Sequence, residues 1–513
     1  MEYLVTAEEM KQYDSNTINQ IGIPGMVLME RAALEAFRVI KARLWKPGAF
    51  GKRVFVLAGT GNNGGDGLAL ARLLAEDGWQ VDIACLGQTL EDGHVEHYST
   101  EFLNGEAMRE DKFKASEQWK QQMQILSYYP VSFCEKNEDT EYTIMIDALF
   151  GVGLSRKVEG EYACAIEHFN KGDGTKISLD IPSGIDSNTG EVLGCAIKAD
   201  MTVTFGFVKR GLVLYPGAEY AGEVIKAEIG ISERSFMGKL PEMFCYNEEP
   251  EALLPSRDAA GNKGTFGKVL LVAGSSKMAG AAVLAAKASY RIGAGMVKVI
   301  SSPDNRIIIQ QAVPEALYGT YEDMDESLKW ADVIVIGPGI GVREQARVLL
   351  EKALQACEMP LLVDADGLNL LSADGNLLQI LTDQCKNGRR VVLTPHVGEL
   401  SRLTKRTITE LKEDLAVYGK GFAEEIQGVV VAKDARTFIC RPNGNICVNL
   451  RGNSGMATAG SGDVLSGIIG GLMAQRMEPF AAASVGVYIH AHAGDRVASE
   501  IGEHACMAGD LVK

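Results

Sequence analysis

Residues 53 to 67 read Arg53-Val54-Phe55-Val56-Leu57-Ala58-Gly59-Thr60-Gly61-Asn62-Asn63-Gly64-Gly65-Asp66-Gly67. The first six form an apolar run of strand length, the next residues are a glycine-rich turn, and residues 67–76 continue at helical period. A strand that turns on glycine into a helix opens a βαβ unit, so the segment predicts a mainly parallel sheet covered by helices. Further strands are predicted outward from it at residues 80–85, 143–147, 176–180 and 201–205. Residues 6–43 read as helix, interrupted by the turn Gly22-Ile23-Pro24-Gly25.

A second α/β rhythm follows. Its predicted strands lie at residues 268–272, 296–300, 332–336, 361–364, 391–394 and 429–432. A hairpin is predicted from 436–440 and 445–450 around Arg441-Pro442-Asn443-Gly444. Between the halves, residues 239–258 are charged and carry Pro241, Pro250 and Pro255, which reads as a linker. The 513 residues are therefore expected to form two α/β domains, 1–235 and 259–513, joined by 236–258.

Composition removes several function classes. With 67 acidic against 51 basic residues the net charge is −16, which repels a phosphate backbone, so no nucleic acid partner is expected. No apolar run reaches the roughly 18 residues of a membrane span, and the acidic opening Met1 to Glu9 lacks an export signal. The 10 cysteines show no Cys-x-x-Cys pair and no zinc spacing, as expected of reduced thiols in a cytoplasmic protein without a membrane partner. His490 and His492, two apart on a predicted helix, diverge by about 200° and read as packing or surface histidines rather than a metal pair.

In the first half, amides freed by glycine at a helix start hold phosphate or pyrophosphate. The turn satisfies Gly-x-Gly-x-x-Gly, with Asp82 near where a ribose-binding acid would sit. A dehydrogenase, however, has no evident use for Asn62, Asn63 and Asp66. Two more polar loops, Asp147-Ala148-Leu149-Phe150-Gly151-Val152-Gly153-Leu154 and Asp180-Ile181-Pro182-Ser183-Gly184-Ile185-Asp186, follow predicted strands. In a parallel sheet all three loops should converge on one crevice. Oxygens of Asn63, Asp147 and Ser183 would then suit a hard cation, with Asp180 facing the ligand; each loop taken alone is equally a turn.

These motifs, with the opening Thr6-Ala7-Glu8-Glu9-Met10, resemble the NAD(P)H-hydrate epimerase domain over residues 1–235. The resemblance implies a Rossmann-like domain that interconverts the R and S forms of nicotinamide cofactors hydrated at C6. It implies potassium on Asn63, Asp147 and Ser183. Its substrate contacts fall on Asn62, Asn63, Gly64, Gly65 and Asp66, on Gly151, Val152, Gly153, Leu154, Ser155, Arg156 and Lys157, and on Asp180. Inversion at C6 requires loss and return of the hydroxyl or opening of the ring. Either needs proton transfer, for which Asp180 is the candidate acid/base.

The densest motif of the second half is Asn453-Ser454-Gly455-Met456-Ala457-Thr458-Ala459-Gly460-Ser461-Gly462-Asp463, ahead of an apolar helix predicted from 465. Free amides there form an anion hole, and Asp463 can take the proton of an attacking hydroxyl, a phosphoryl-transfer arrangement; the plain alternative is an N-cap. Supporting loops are Gly337-Pro338-Gly339-Ile340-Gly341, Thr394-Pro395-His396-Val397-Gly398-Glu399, Lys433-Asp434-Ala435-Arg436-Thr437, Lys263-Gly264-Thr265-Phe266-Gly267 and Met278-Ala279-Gly280-Ala281. No Walker loop occurs.

Residues 259–512 resemble the ADP/ATP-dependent NAD(P)H-hydrate dehydratase of the ribokinase-like group. That resemblance implies hydrate contacts at Ala281, Gly341, His396 and Asp463, and nucleotide contacts at Lys433, Asp434, Ala435, Arg436, Thr437 and Gly462. It implies Mg2+ with ADP, which bacterial members of this fusion generally use, or ATP. The expected substrates are NADHX and NADPHX, the hydrated cofactors, and a homo-oligomer is expected. A ribokinase-like metabolite kinase fused to a dinucleotide-binding module would share the Gly-x-Gly-Asp element.

Overall fold

The computed structural model describes residues 1–44, 53–88, 95–98, 114–134, 141–356 and 358–513. The chain divides into one compact unit at Tyr3–Pro241 and another made of Met1–Glu2 and Glu242–Lys513. Both are α/β.

The first unit holds a sheet in the order Glu223–Ala227, Met201–Phe205, Thr175–Leu179, Ile144–Ala148, Arg53–Ala58, Gln80–Gln88 and Val95–Tyr98, with Val131–Phe133 also pairing with Gln80–Gln88. Val95–Tyr98 is antiparallel to its neighbour, and the other pairs are parallel. Alternation along the central strands explains the layers. Val54, Val56, Ile144 and Ile146 enter one core beneath the helices Gly25–Leu44 and Asn62–Glu76. Phe55, Leu57 and Met145 enter the core on the other face with Ile166 and Phe169 of the helix Gly160–Lys171. The opening Thr6–Glu9 is a capping box: Glu9 N donates to Thr6 Oγ1 at 3.1 Å and Thr6 N to Glu9 Oε2 at 2.8 Å, starting the helix Ala7–Asn16.

The second unit's sheet runs Leu317–Gly319, Met296–Ile300, Lys268–Val272, Val333–Ile336, Leu361–Val363, Val391–Leu393 and Val429–Ala432, all parallel, then the antiparallel strands Thr437–Cys440 and Ile446–Asn449. The expected linker is corrected here. Met243–Cys245 is a strand parallel to Ile446–Asn449, and Tyr488 Oη donates to Glu248 O at 2.7 Å. Three consecutive buried residues, Met243, Phe244 and Cys245, were masked by the charges and prolines around them.

Two helices also start earlier than their apolar periodicity indicates, at Asn62 and Ser461. The glycine loops are themselves the first helical turns. No helix among the described residues is long and apolar enough to cross a membrane. Nine of the cysteines are free thiols, and Cys357 lies outside the described residues.

Candidate active sites

In the first unit the loop after Arg53–Ala58 approaches its neighbours so closely that side chains are excluded. A Cβ on Gly64 would lie 1.8 Å from Gly59 O, and one on Gly59 would lie 2.1 Å from Leu149 O. Gly61 caps the helix without a side-chain acceptor, so the polar first turn faces the strand ends. Asn63 is buried; its Nδ2 donates to Phe150 O at 2.8 Å, while Oδ1 has no partner. An unsatisfied buried amide oxygen is costly unless something binds it.

Asp147 is fully buried. It accepts from Ser183 Oγ at 2.6 Å, Ser183 N at 2.8 Å, Ser178 Oγ at 2.7 Å and Leu149 N at 3.2 Å. Burial nevertheless raises its pKa above the ordinary carboxylate value. Ser183 Oγ also accepts from Phe150 N at 2.8 Å. Asn63, Asp147 and Ser183 thus meet around the Phe150 peptide. This oxygen set with one carboxylate fits a monovalent hard cation.

Asp180 sits beside them with φ of 67°, a left-handed conformation that a non-glycine residue adopts at a cost of about 1–3 kcal/mol. A Cβ on Gly151 would lie 3.2 Å from Asn63 Cβ and 3.8 Å from Asp180 Oδ2. Past Gly151 the loop is partly or fully exposed, with Gly153, Ser155, Arg156 and Lys157 open to solvent and Val152 and Leu154 partly covered. Asp66 is partly buried, and its pKa is held well above the ordinary value by burial, then by the Asp180 and Asp14 charges, against Lys209. Asp82, a candidate ribose acid, is spent elsewhere: it pairs with Arg53 at 2.8 Å and accepts from Tyr142 Oη at 3.1 Å. It lies near the start of its strand, away from the carboxyl end.

In the second unit the loops after the parallel strands gather at one sheet edge. Asp364, 1 % exposed, follows Leu361–Val363 and accepts from Thr394 Oγ1 at 2.7 Å, Ser466 Oγ at 2.7 Å and Lys433 Nζ at 3.0 Å. Gly337, at φ of 128°, passes over it; a Cβ there would lie 1.8 Å from Asp364 O. Gly337→Ala is expected to destabilise this unit by about 1–3 kcal/mol, checked by a lowered urea midpoint. Gly341 N donates to Asp366 Oδ2 at 2.8 Å, and Ala281, 5 % exposed, lies under Gly339.

His396 caps the helix Val397–Thr404 through Nδ1, accepting from Gly398 N at 3.0 Å. Its exposed ring has a pKa lowered by desolvation and then by Lys433. Asp463 stands in the first turn of the helix Ser461–Ala474, with Oδ2 3.9 Å from the position of a Cβ on Gly460. Its pKa is raised to about 7 by burial and then by Asp364, against Lys433. Gly462 lies beside Lys433 and Asp364. Asp434 and Ala435 are exposed, Thr437 is partly buried, and Arg436 commits Nη1 to Leu450 O at 2.8 Å.

One expected supporting loop does not join this group. Residues 263–267 precede the strand Lys268–Val272 and lie at its amino end. A Cβ on Gly267 would lie 2.1 Å from Ala474 O, at the far end of the helix that Asp463 opens. His490 is buried, with its Nε2 3.3 Å from Ser461 Oγ and a pKa lowered to about 4 by desolvation. Among the described residues no group of three or more His, Cys, Asp and Glu could hold a metal ion.

Four residues at these sites escaped the sequence reading: Asp14, Lys209, Asp364 and Asp366. For Asp364 and Asp366 a signal existed, the Asp364-Ala365-Asp366-Gly367 turn directly after a strand. Asp14 and Lys209 carried none, since each looks like a solvated charge within an ordinary element.

A family model described as NAD(P)H-hydrate dehydratase matches residues 269–513, and one described as YjeF-related protein N-terminus matches residues 25–211. The chain is 36% identical to the bifunctional NAD(P)H-hydrate repair enzyme Nnr of Moorella thermoacetica, over 99% of this chain and 95% of that protein. Its identity to the protein of the same name from Coxiella burnetii is 38%, over 96% and 94%. Among solved structures, the ADP/ATP-dependent NAD(P)H-hydrate dehydratase from Bacillus subtilis, co-crystallised with ATP and Mg2+, is 31% identical over 52% of this chain and 94% of that one, with a TM-score of 0.46. With likeness of this degree running along nearly its whole length, the chain belongs to the family of bifunctional NAD(P)H-hydrate repair enzymes.

Proposed function

We propose that the protein restores hydrated NADH and NADPH, equilibrating the R and S epimers in the first unit and dehydrating the S form in the second at the expense of ADP or ATP. The observation that carries this reading is Asp463, a half-buried carboxyl with a pKa near 7 at the start of a helix, beside Lys433. Hydroxide is a poor leaving group, whereas a phosphate ester is a good one. Asp463 takes the proton of the C6 hydroxyl, whose oxygen attacks the terminal phosphorus. The bond from phosphorus to the bridging oxygen breaks and releases the shortened nucleotide. The C6–O bond then breaks with its electrons leaving on inorganic phosphate, the ring nitrogen's lone pair takes up the positive charge, and loss of a C5 proton restores the dihydropyridine.

The amides of Gly460, Gly462 and Asp463, together with Lys433, face the charge that builds on the transferred group; the Ser461 amide is spent on Thr458 O at 3.3 Å. Magnesium in such sites is held by phosphates and one or two carboxylates; Asp366, which accepts from Gly341 N at 2.8 Å, would supply the carboxylate and leave Asp463 to take the proton. When bound, the magnesium neutralises the phosphates. In the first unit, Asp180 serves as base and Asp66, whose pKa is raised by burial and by the Asp180 charge, as acid.

Incubating purified protein with mixed R and S hydrates and ADP or ATP, while following nicotinamide absorbance and phosphate together, tests the reading. Equal recovery of both is expected. A phosphorylated product that accumulates without elimination would instead identify a metabolite kinase.

Potassium fits the Asn63, Asp147 and Ser183 oxygens, because the orphaned Asn63 Oδ1 offers lone pairs that a cation can take up. When bound it neutralises Asp147 and fixes the loop around Phe150. Asn63→Ala is therefore expected to remove the rise in thermal midpoint that potassium produces over an equal concentration of choline; an undiminished rise would place the ion elsewhere.

A further inference from the structure

Lys209 is 1% exposed and lies on the short strand Val208–Lys209, where it pairs in register with Val5 of Glu2–Val5. Its ammonium has three protons and three acceptors: Asp180 Oδ1, Thr204 Oγ1 at 3.1 Å and Phe205 O at 2.8 Å. The head group is thereby fixed in direction. Phe205 N donates to the same Asp180 oxygen at 3.3 Å. Among the described residues, both donors to that carboxylate thus converge on Oδ1. Oδ2 receives none from them and borders the Gly151 loop beside Asn63.

Carboxylates also surround Asp180. Asp66 faces it from the helix Asn62–Glu76 and Asp14 from the helix Ala7–Asn16, and both are electrostatically coupled to it and to Lys209. Without the ammonium, three carboxyl groups would share one poorly hydrated space, and protonation would relieve the repulsion. A buried ion pair adds little to stability compared with apolar residues of similar volume. Its placement on a carboxylate held in a left-handed conformation points to function instead.

We propose that Lys209 is the positioning residue of the epimerase site, binding one oxygen of Asp180 so that the carboxylate presents its other oxygen to the substrate. The assignment rests on the epimerase reading of the first unit. Lys209 itself touches no substrate, being sealed beneath Asp180.

The test uses the full-length chain and the separated hydrates of NADH. Lys209→Met is expected to lower kcat for epimerisation by about 100-fold or more and to leave KM within about threefold. Because a lone buried charge can prevent folding, the double variant Asp180→Asn with Lys209→Met, which leaves neither charge, completes a cycle. If Lys209 acts through Asp180, the double variant is no slower than Asp180→Asn alone. Additive losses, or full kcat in Lys209→Met, would overturn the assignment. Wild-type protein that leaves the two hydrates unmixed would overturn the epimerase reading, and this assignment with it.

Discussion

Asp463→Asn is expected to slow dehydration of the S hydrate by about 10²- to 10⁴-fold and, at the same time, to raise the thermal midpoint of the second unit. Both effects follow from one environment. The carboxyl is drawn out of water beside Asp364, which lifts its pKa from 3.8 to about 7. A base with that pKa is ionised when needed and still basic enough to take a proton. The parental kcat/KM should therefore fall as pH drops through about 7, and the variant should lack that limb.

For stability, a raised folded-state pKa favours the folded chain at acid pH, and that benefit disappears as pH rises through the folded value. Above pH 7 the ionised carboxylate is a burden that Asn removes. The gain in midpoint should be largest near pH 8 and vanish near pH 4, which calorimetry at the two pH values measures. A variant less stable at pH 8 than the parent would show that the carboxylate is satisfied in the fold and is not a poised base.

Asp180→Asn is expected to cut epimerisation by a similar factor, about 10²- to 10⁴-fold, with the opposite effect on stability. Here the partner left behind is Lys209, buried to 1% exposure, and an uncompensated buried charge costs about 3–5 kcal/mol. With mixed hydrates and excess nucleotide, the variant should consume the S fraction and then stop, leaving R behind. The parent should run to completion. Complete conversion by the variant at the parental rate would remove Asp180 from the chemistry.

Much of both sites could be read before folding because the chemistry is carried by short contiguous loops. Gly59 to Gly67 announces itself because only glycine permits the close backbone approach at Gly59 and Gly64, and Gly460 to Asp463 because Gly460 takes a φ of 91° at the helix start. Misreadings arose where local pattern and tertiary position part. The turn 263–267 has the composition of a ligand loop but precedes its strand, so the direction of the sheet carries it to the edge opposite Asp463. Asp82 satisfies a dinucleotide fingerprint by spacing, yet Arg53 and Tyr142 occupy its carboxylate. Residues 243–245 hide a strand among charges because three buried residues are too few to show a period.

The order of apolar runs and glycine turns along the chain was enough to determine two α/β units and to name Asn63, Asp147, Asp180, Ser183 and Asp463, because strand periodicity and the steric demand for glycine are local properties. Only the tertiary structure decided which charges face those residues. Asp14 and Lys209 reach Asp180, and Asp364 and Lys433 reach Asp463, from elements distant in sequence. Desolvation and Coulomb coupling depend on distance through space, so the electrostatic surroundings of each candidate carboxyl are a property of the folded chain.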